Sequence, residues 1–254
     1  MKIGFFDSGV GGITVLSEAL RQLPQEDYLY FADTDHVPYG LKTKEEVRKL
    51  VLEAVEFMWR EGIKALVVAC NTATSIAIND LRRKYSIPIL GMEPAVKPAV
   101  ENNGSKRVLV TATPLTLQEE KYQNLVSKLD HAHIVDGVAL PELVEYAERF
   151  IFAEEVIVPY LRQKLAKLDL AQYGTVVLGC THFSYFKNSF QQVFPLAKII
   201  DGSLGTVNHL KNTLLAQKLI SDQGKGEVVF YTSGRKEGDD SRYYRYLELL
   251  KQGS

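Results

Sequence analysis

Short apolar runs that stop at Gly, Asn or Thr, each followed by a longer stretch of helical periodicity, recur through most of this chain. Ile3 to Phe6, Tyr28 to Ala32, Ala65 to Ala69, Ile87 to Gly91, Arg107 to Thr111, Thr175 to Gly179 and Lys198 to Ile200 read as strands. Thr14 to Leu23, Lys44 to Arg60, Thr74 to Lys84 and Glu155 to Leu168 read as helices. Strands that are apolar throughout, rather than alternating, are buried on both faces. Separated by amphipathic helices, they predict an α/β fold with mostly parallel sheets covered on both sides. A late strand, Glu227 to Thr232, follows a helix near Leu210 to Ile220 and is expected to return to the first sheet.

The order of elements predicts two α/β domains, residues 1–93 plus 206–254 and residues 94–205. Glu93-Pro94 and Lys97-Pro98 mark the joint on one side, Asp201 to Gly205 on the other. At 254 residues and 46% hydrophobic, the chain can bury a substantial core. Its 30 Lys and Arg nearly balance 31 Asp and Glu, which argues against nucleic acid as a partner. No run reaches the length of about eighteen apolar residues that a membrane span needs, and Met1 leads directly into a strand, so a cytoplasmic location is expected. Two cysteines are too few for a disulfide framework and are expected to be thiols.

Those two cysteines stand in matching places. Ala-Leu-Val-Val-Ala-Cys-Asn-Thr (65 to 72) and Thr-Val-Val-Leu-Gly-Cys-Thr-His (175 to 182) each read as a buried strand, a small residue, a cysteine and then polar groups. Both thiols therefore belong at the carboxyl end of a parallel strand, where open α/β sheets bind ligands. Taken singly, either cysteine is an ordinary small apolar filler. As a pair they are not, because Asn71-Thr72 and Thr181-His182 need partners or a polar cavity.

Two loops belong to the same sheet edge. Asp7-Ser8-Gly9-Val10-Gly11-Gly12 is a strand end running into a glycine-rich turn and a helix, which offers backbone N–H groups to a carboxylate or phosphate. It matches neither the dinucleotide fingerprint, since Thr14 stands at the third glycine, nor the phosphate loop. A turn that only lets the helix pack on the strand has the same spacing, and Asp7, within reach of Cys70, favours the functional reading. In the second loop, Pro38 and Gly40 bracket Tyr39 in a rigid turn, which without the cysteines reads better as a surface loop with an ordinary tyrosine.

This collection suits proton transfer at the α-carbon of an amino acid. The carbanion spreads its charge into the adjacent carboxylate, which needs directed donors such as Asn71, Thr72, Thr181 and nearby backbone N–H groups. Inversion requires the proton to leave one face and return on the other, which two thiols on opposing lobes can accomplish. A thiol with a pKa of about 8.5 is only about a tenth ionised at roughly pH 7.5, so each needs a helper. His182 stands two residues from Cys180, and Asp7 is the helper expected for Cys70.

DSGVGG at 7 to 12, PYG at 38 to 40, CNTAT at 70 to 74 and GCTHF at 179 to 183 together resemble the glutamate racemases of bacterial cell-wall synthesis. The resemblance extends over nearly the whole chain, including GMEPAVKPA at 91 to 99 and the Thr113, Thr116 pair. It implies two pseudo-symmetric domains enclosing glutamate in the cleft between them, with no pyridoxal phosphate and no metal. It implies Cys70 as base for D-glutamate and Cys180 as base for L-glutamate, assisted by Asp7 and His182. Ser8, Pro38, Tyr39, Gly40, Asn71, Thr72, Thr113, Thr116 and Thr181 are similar to the family's substrate-binding set. D-glutamate for peptidoglycan, and hence cell shape, would be the product's use, and a homodimer is expected. The sequence departs from the pattern at Ala112, at Ser184 and over Leu140 to Glu148, which puts any role for Glu148 in doubt.

Three other readings stay open at this point. Two cysteines and a histidine form a possible zinc set, although Asn71 and Thr181 would then have no purpose. The same fold could act on aspartate or a related acid, or grip an acidic ligand without turnover.

Overall fold

The computed structural model describes residues 1–102, 104 and 106–252. In chain order the elements are β1 (Lys2–Asp7), α1 (Ile13–Gln22), β2 (Tyr28–Ala32), α2 (Lys44–Arg60), β3 (Ile63–Val68), α3 (Asn71–Lys84) and β4 (Ile89–Gly91). There follow α4 (Val96–Glu101), β5 (Arg107–Ala112), α5 (Pro114–Gln118), α6 (Glu120–Leu129), β6 (Val135–Ala139), α7 (Glu142–Glu148), α8 (Glu154–Lys164), β7 (Tyr173–Leu178), α9 (Lys187–Val193) and β8 (Lys198–Asp201). The chain closes with α10 (Ser203–Ala216), β9 (Val228–Thr232), β10 (Arg235–Lys236) and α11 (Ser241–Gln252).

Two sheets organise these elements. One has strand order β10-β9-β2-β1-β3-β4, the other β6-β5-β7-β8. Every pairing is parallel except the short β10 against β9. The late strand does return to the first sheet, with Tyr28 opposite Val228 and Ala32 opposite Thr232. All residues of β2 and β3 are buried, which is why both read as unbroken apolar runs rather than alternating ones.

Helices cover both faces of each sheet. On the first, α1, α10 and α11 pack Val15, Leu16, Val207, Leu210 and Leu247 onto one side, while α2 and α3 bring Val47, Val51, Met58, Ile78 and Leu81 to the other. The stripe on α2 has helical spacing, and its start is fixed by a capping box in which Thr43 accepts from the Glu46 N–H and Glu46 accepts from the Thr43 N–H. On the second sheet, α7, α8 and α9 enclose one apolar cluster and α4 and α6 the other.

Some boundaries differ from the sequence reading. Helix α3 starts at Asn71 rather than Thr74, because Cys70 itself caps it. Helix α10 starts at Ser203, directly after Gly202, and is over by Ala216, with Lys218 in the left-handed region at φ 56°. Strand β6 escaped the sequence reading because it is a half-exposed edge strand, Val-Asp-Gly-Val-Ala, without an apolar run. Among the described residues no helix is long and apolar enough to cross a membrane.

The chain crosses between the two sheets twice, from β4 to α4 and from β8 to α10. The crossings touch, since a Cβ on Gly202 would lie 3.0 Å from Met92 Cγ and 3.1 Å from the Glu93 carbonyl. This topology sets the carboxyl ends of β1, β2 and β3 against those of β5 and β7.

Candidate active site

Parallel strands put their carboxyl ends on one edge, so residues just after β1, β3 and β7 converge. Asp7 ends β1, Cys70 follows β3 and Cys180 follows β7. Both cysteines are free and nearly enclosed, at 6% and 7% exposure. Asp7, from the first sheet, accepts from the Thr181 hydroxyl beside Cys180 at 3.1 Å, and charges on Asp7 and Cys180 both bear on the Cys70 thiol.

Cys70 caps α3. Its Sγ accepts from the Ala73 N–H at 3.5 Å, and its thiol donates to Ser8 Oγ at 3.7 Å. Burial is the largest influence on it, and with the Asp7 charge it pushes the thiol up to about 12, against the opposing pull of the Ala73 N–H. Cys70 is accordingly a proton-bearing thiol at neutral pH.

Asp7 is completely buried, and burial raises its carboxyl to about 6 despite the favourable charge of His182 and bonds from Gly9 N–H and Thr181. Its two oxygens are engaged by Gly9 N–H at 3.0 Å and Thr181 Oγ1. Expected as the helper of Cys70, Asp7 thus accepts from its own turn and from Thr181 beside Cys180, and acts on Cys70 through its charge.

On the other side, Cys180 Sγ lies 3.8 Å from His182 Nδ1, and His182 Nε2 lies 2.7 Å from Glu148 Oε1. Burial opposes charge on this imidazole, yet the bonds to Cys180 and Glu148 outweigh it and hold His182 protonated well above its ordinary range. Sulfur, imidazole and carboxylate form one chain of proton-carrying groups.

Glu148, left in doubt by the sequence, therefore stands in hydrogen-bond contact with the candidate pair of His182 and Cys180. Its Oε1 also accepts from the Val10 N–H at 2.8 Å, so the anion held by the glycine-rich turn is a carboxylate from elsewhere in the chain. Gly9 and Gly11 are required there for a specific reason: a Cβ on Gly9 would collide with Glu148 Oε1, and one on Gly11 with Thr181 Oγ1 and His182 Nδ1. Tyr30 and Tyr185, also unforeseen, brace the turn by donating to the Gly9 and Val10 carbonyls, each at 2.7 Å. No local signal marks these residues, because they meet only across long sequence separations.

The hydroxyls of Thr72, Thr113 and Thr116 form a triangle with sides of 3.0, 3.0 and 2.9 Å. Thr113 caps α5, Thr72 lies in the first turn of α3, and the triangle spans the two lobes. Gly40 packs against Thr113 so closely that any side chain there would overlap it. Tyr39 is buried, not a surface residue, and donates to Asp33 Oδ2 at 2.6 Å; burial and the Asp33 charge keep its phenol protonated. Pro38 is half-buried at the start of that turn. Asn71 spends one amide proton on the Met92 carbonyl at 3.0 Å and leaves Oδ1 buried without a partner. Among the described residues no three His, Cys, Asp or Glu side chains are grouped to hold a metal.

The family model of Asp/Glu/hydantoin racemases matches residues 8–210. Glutamate racemase of Halothermothrix orenii is 59% identical over 99% of this chain and 100% of its own length. The crystal structure of a glutamate racemase from Bacillus anthracis aligns with a TM-score of 0.85 at 31% identity, over 99% of this chain and 94% of that one. That of the Francisella tularensis glutamate racemase in complex with D-glutamate aligns with a TM-score of 0.82 at 27% identity, over 98% and 93%.

Proposed function

The chain belongs to the Asp/Glu/hydantoin racemase family, and from that premise we propose a cofactor-independent, two-base interconversion of L- and D-glutamate with the thiols of Cys70 and Cys180 as the bases. The observation that carries the assignment is the pair of enclosed cysteines flanking Asp7, each with a different proton-holding partner set. Glutamate rather than another acid is supported by the full-length similarity to glutamate racemases.

The resting site is asymmetric. Cys70 carries a proton, whereas Cys180 lies 3.8 Å from the protonated His182 imidazole, and in this reaction its thiolate is the base toward L-glutamate. With L-glutamate bound, the Cys180 thiolate removes the α-proton. The electron pair moves into the α-carboxylate, and the Cys70 thiol delivers its proton to the opposite face, giving D-glutamate, Cys180 thiol and Cys70 thiolate. The reverse direction retraces these steps. Ser8, Thr72, Thr113, Thr116, Thr181 and the α3 N-terminus supply donors for substrate carboxylates, with Asn71, Pro38, Tyr39 and Gly40 shaping the wall. Asp7 offers its charge to the α-ammonium group. The ammonium offsets the charge that otherwise disfavours a Cys70 thiolate. No step in this reading draws on pyridoxal phosphate or a metal.

The two lobes are assigned as residues 1–93 plus 206–254 and residues 94–205, supported by the two sheets and the two chain crossings. A cytoplasmic homodimer that supplies D-glutamate for peptidoglycan, and through it cell shape, completes the proposal. Sedimentation equilibrium at twice the chain mass of 28.5 kDa supports the dimer, and a single chain mass refutes it. Circular dichroism of each enantiomer of glutamate and of aspartate, with purified protein and a chelator, tests the activity. Loss of signal from both glutamates is the expected result; turnover of aspartate alone would overturn the substrate.

A further inference from the structure

The C-terminal helix reaches the reaction centre through one side chain. Arg242, in the first turn of α11, donates from Nη2 to Glu148 Oε2 at 3.2 Å. The opposite oxygen of the same carboxylate holds His182 at 2.7 Å, and His182 faces Cys180. One helical turn on, Tyr246 donates to the carbonyl of Ala147 at 2.8 Å and to that of Glu148 at 3.3 Å. Helix α11 thus grips the residue bearing the carboxylate by both side chain and backbone.

A second, independent feature marks the same segment. Phe150, two residues after Glu148, adopts φ 59°, a left-handed conformation that is unfavourable for an aromatic residue and persists only where the surroundings enforce it. Its ring lies 4.2 Å from the Arg245 guanidinium and 5.0 Å from the Tyr246 ring, both on α11. The turn that ends α7 is therefore shaped by the C-terminal helix.

We propose that Arg242 is a positioning residue for the Cys180 half-reaction: it fixes the rotamer of Glu148 so that His182 is aligned with the Cys180 sulfur. Without Arg242 the Glu148 carboxylate keeps only its Oε1 anchors, the Val10 N–H and His182, and can pivot about them, since among the described residues no other hydrogen bond or ion pair is shown on Oε2. Arg242 touches neither sulfur nor substrate. Its side chain is 47% exposed, so replacing it leaves no buried hole.

The inference rests on the glutamate racemase reading. Enantiomers are equal in free energy, so any variant must lower kcat/KM by the same factor in both directions, and rates alone cannot say which half-reaction has suffered. Isotope effects can. If only the Cys180 step slows, cleavage of the α-deuterium of L-glutamate becomes more rate-limiting and that of D-glutamate less so.

The test compares the wild type with Arg242→Ala, Arg242→Lys, Glu148→Gln and the Arg242→Ala/Glu148→Gln double variant. We expect Arg242→Ala to lower kcat by about tenfold with little change in KM, to raise the isotope effect from L-[2-²H]glutamate and to lower that from D-[2-²H]glutamate. Lysine, which can still reach a single carboxylate oxygen, should restore part of the rate. In the Glu148→Gln background, Arg242→Ala should add nothing. Equal isotope effects in wild type and Arg242→Ala, or full additivity with Glu148→Gln, overturn the inference while the wild-type activity stands. A wild type that fails to racemise glutamate overturns the racemase reading and this inference with it.

Discussion

Asp7 illustrates how burial, rather than sequence, sets the charge of a residue in this site. Its carboxyl lies near 6 because no solvent reaches it, so the folded state holds the proton more tightly than the unfolded one, whose value is near 3.8. The sign follows: this group's contribution to stability is fully present below about pH 3.8 and is lost as pH rises through about 6, by about 3 kcal/mol in total. Asp7→Asn removes that loss while keeping an acceptor for Gly9. Thermal or urea melts should therefore show wild type losing about 1 kcal/mol relative to the variant between roughly pH 5 and pH 7.5. A constant difference across that range would contradict a buried, titrating Asp7. The same ionisation predicts an acid limb in kcat/KM near pH 6, absent from whatever activity the Asn variant retains. The cysteines carry a simpler prediction. Cys70→Ala and Cys180→Ala should each lower racemisation by about a thousandfold, since one face of the α-carbon then lacks its base, while stability falls by only about 1 kcal/mol. Near-normal turnover by either variant would rule out a two-thiol reaction.

At the scale of elements, the turn between β1 and α1 holds the site together across the lobes. Its N–H groups grip Asp7 and Glu148, its carbonyls accept from Tyr30 and Tyr185, and its glycines admit the second lobe's side chains to van der Waals distance. Gly9→Ala should displace Glu148, lowering stability by about 1–3 kcal/mol and activity with it. A Gly9→Ala variant of unchanged activity would show that Glu148 can move without consequence. This turn also marks the limit of what the sequence disclosed. β2 and β3 were legible because burial on both faces leaves an unbroken apolar run, and α2 because one apolar stripe at helical spacing faces the sheet. The Cys70 and Cys180 motifs were legible because polar groups placed directly after a buried strand must find partners or line a cavity, and here the same arrangement occurs twice. Strand β6 was not, since its exposed edge selects no apolar residues, and Glu148 was not, since its partners lie 138 and 34 positions away. Asp7 could be placed at the end of β1 from the sequence, but its bond to Thr181 depends on how the second lobe docks, which no local pattern encodes.

At the scale of the whole molecule, the closed arrangement poses a question of access. Both sulfurs are almost fully covered, and Thr72, Thr113, Asp7 and Thr181 link the lobes across the space between them. The proposed reaction therefore predicts that the lobes separate about the two adjoining crossings to admit glutamate and that bound substrate favours the closed state. Alkylation of Cys70 and Cys180 by iodoacetamide, followed by mass spectrometry, should therefore slow when glutamate is added. Identical rates with and without glutamate would contradict an opening motion coupled to binding. The central claim, that a proton leaves through one sulfur and returns through another, is tested most directly by racemisation in heavy water, begun separately from L- and D-glutamate and stopped early. The account predicts deuterium at the α-carbon of the product from either direction, with the recovered substrate still carrying protium. Deuterium appearing in the recovered substrate as fast as in the product would mean a single base serving both faces, and would contradict the account.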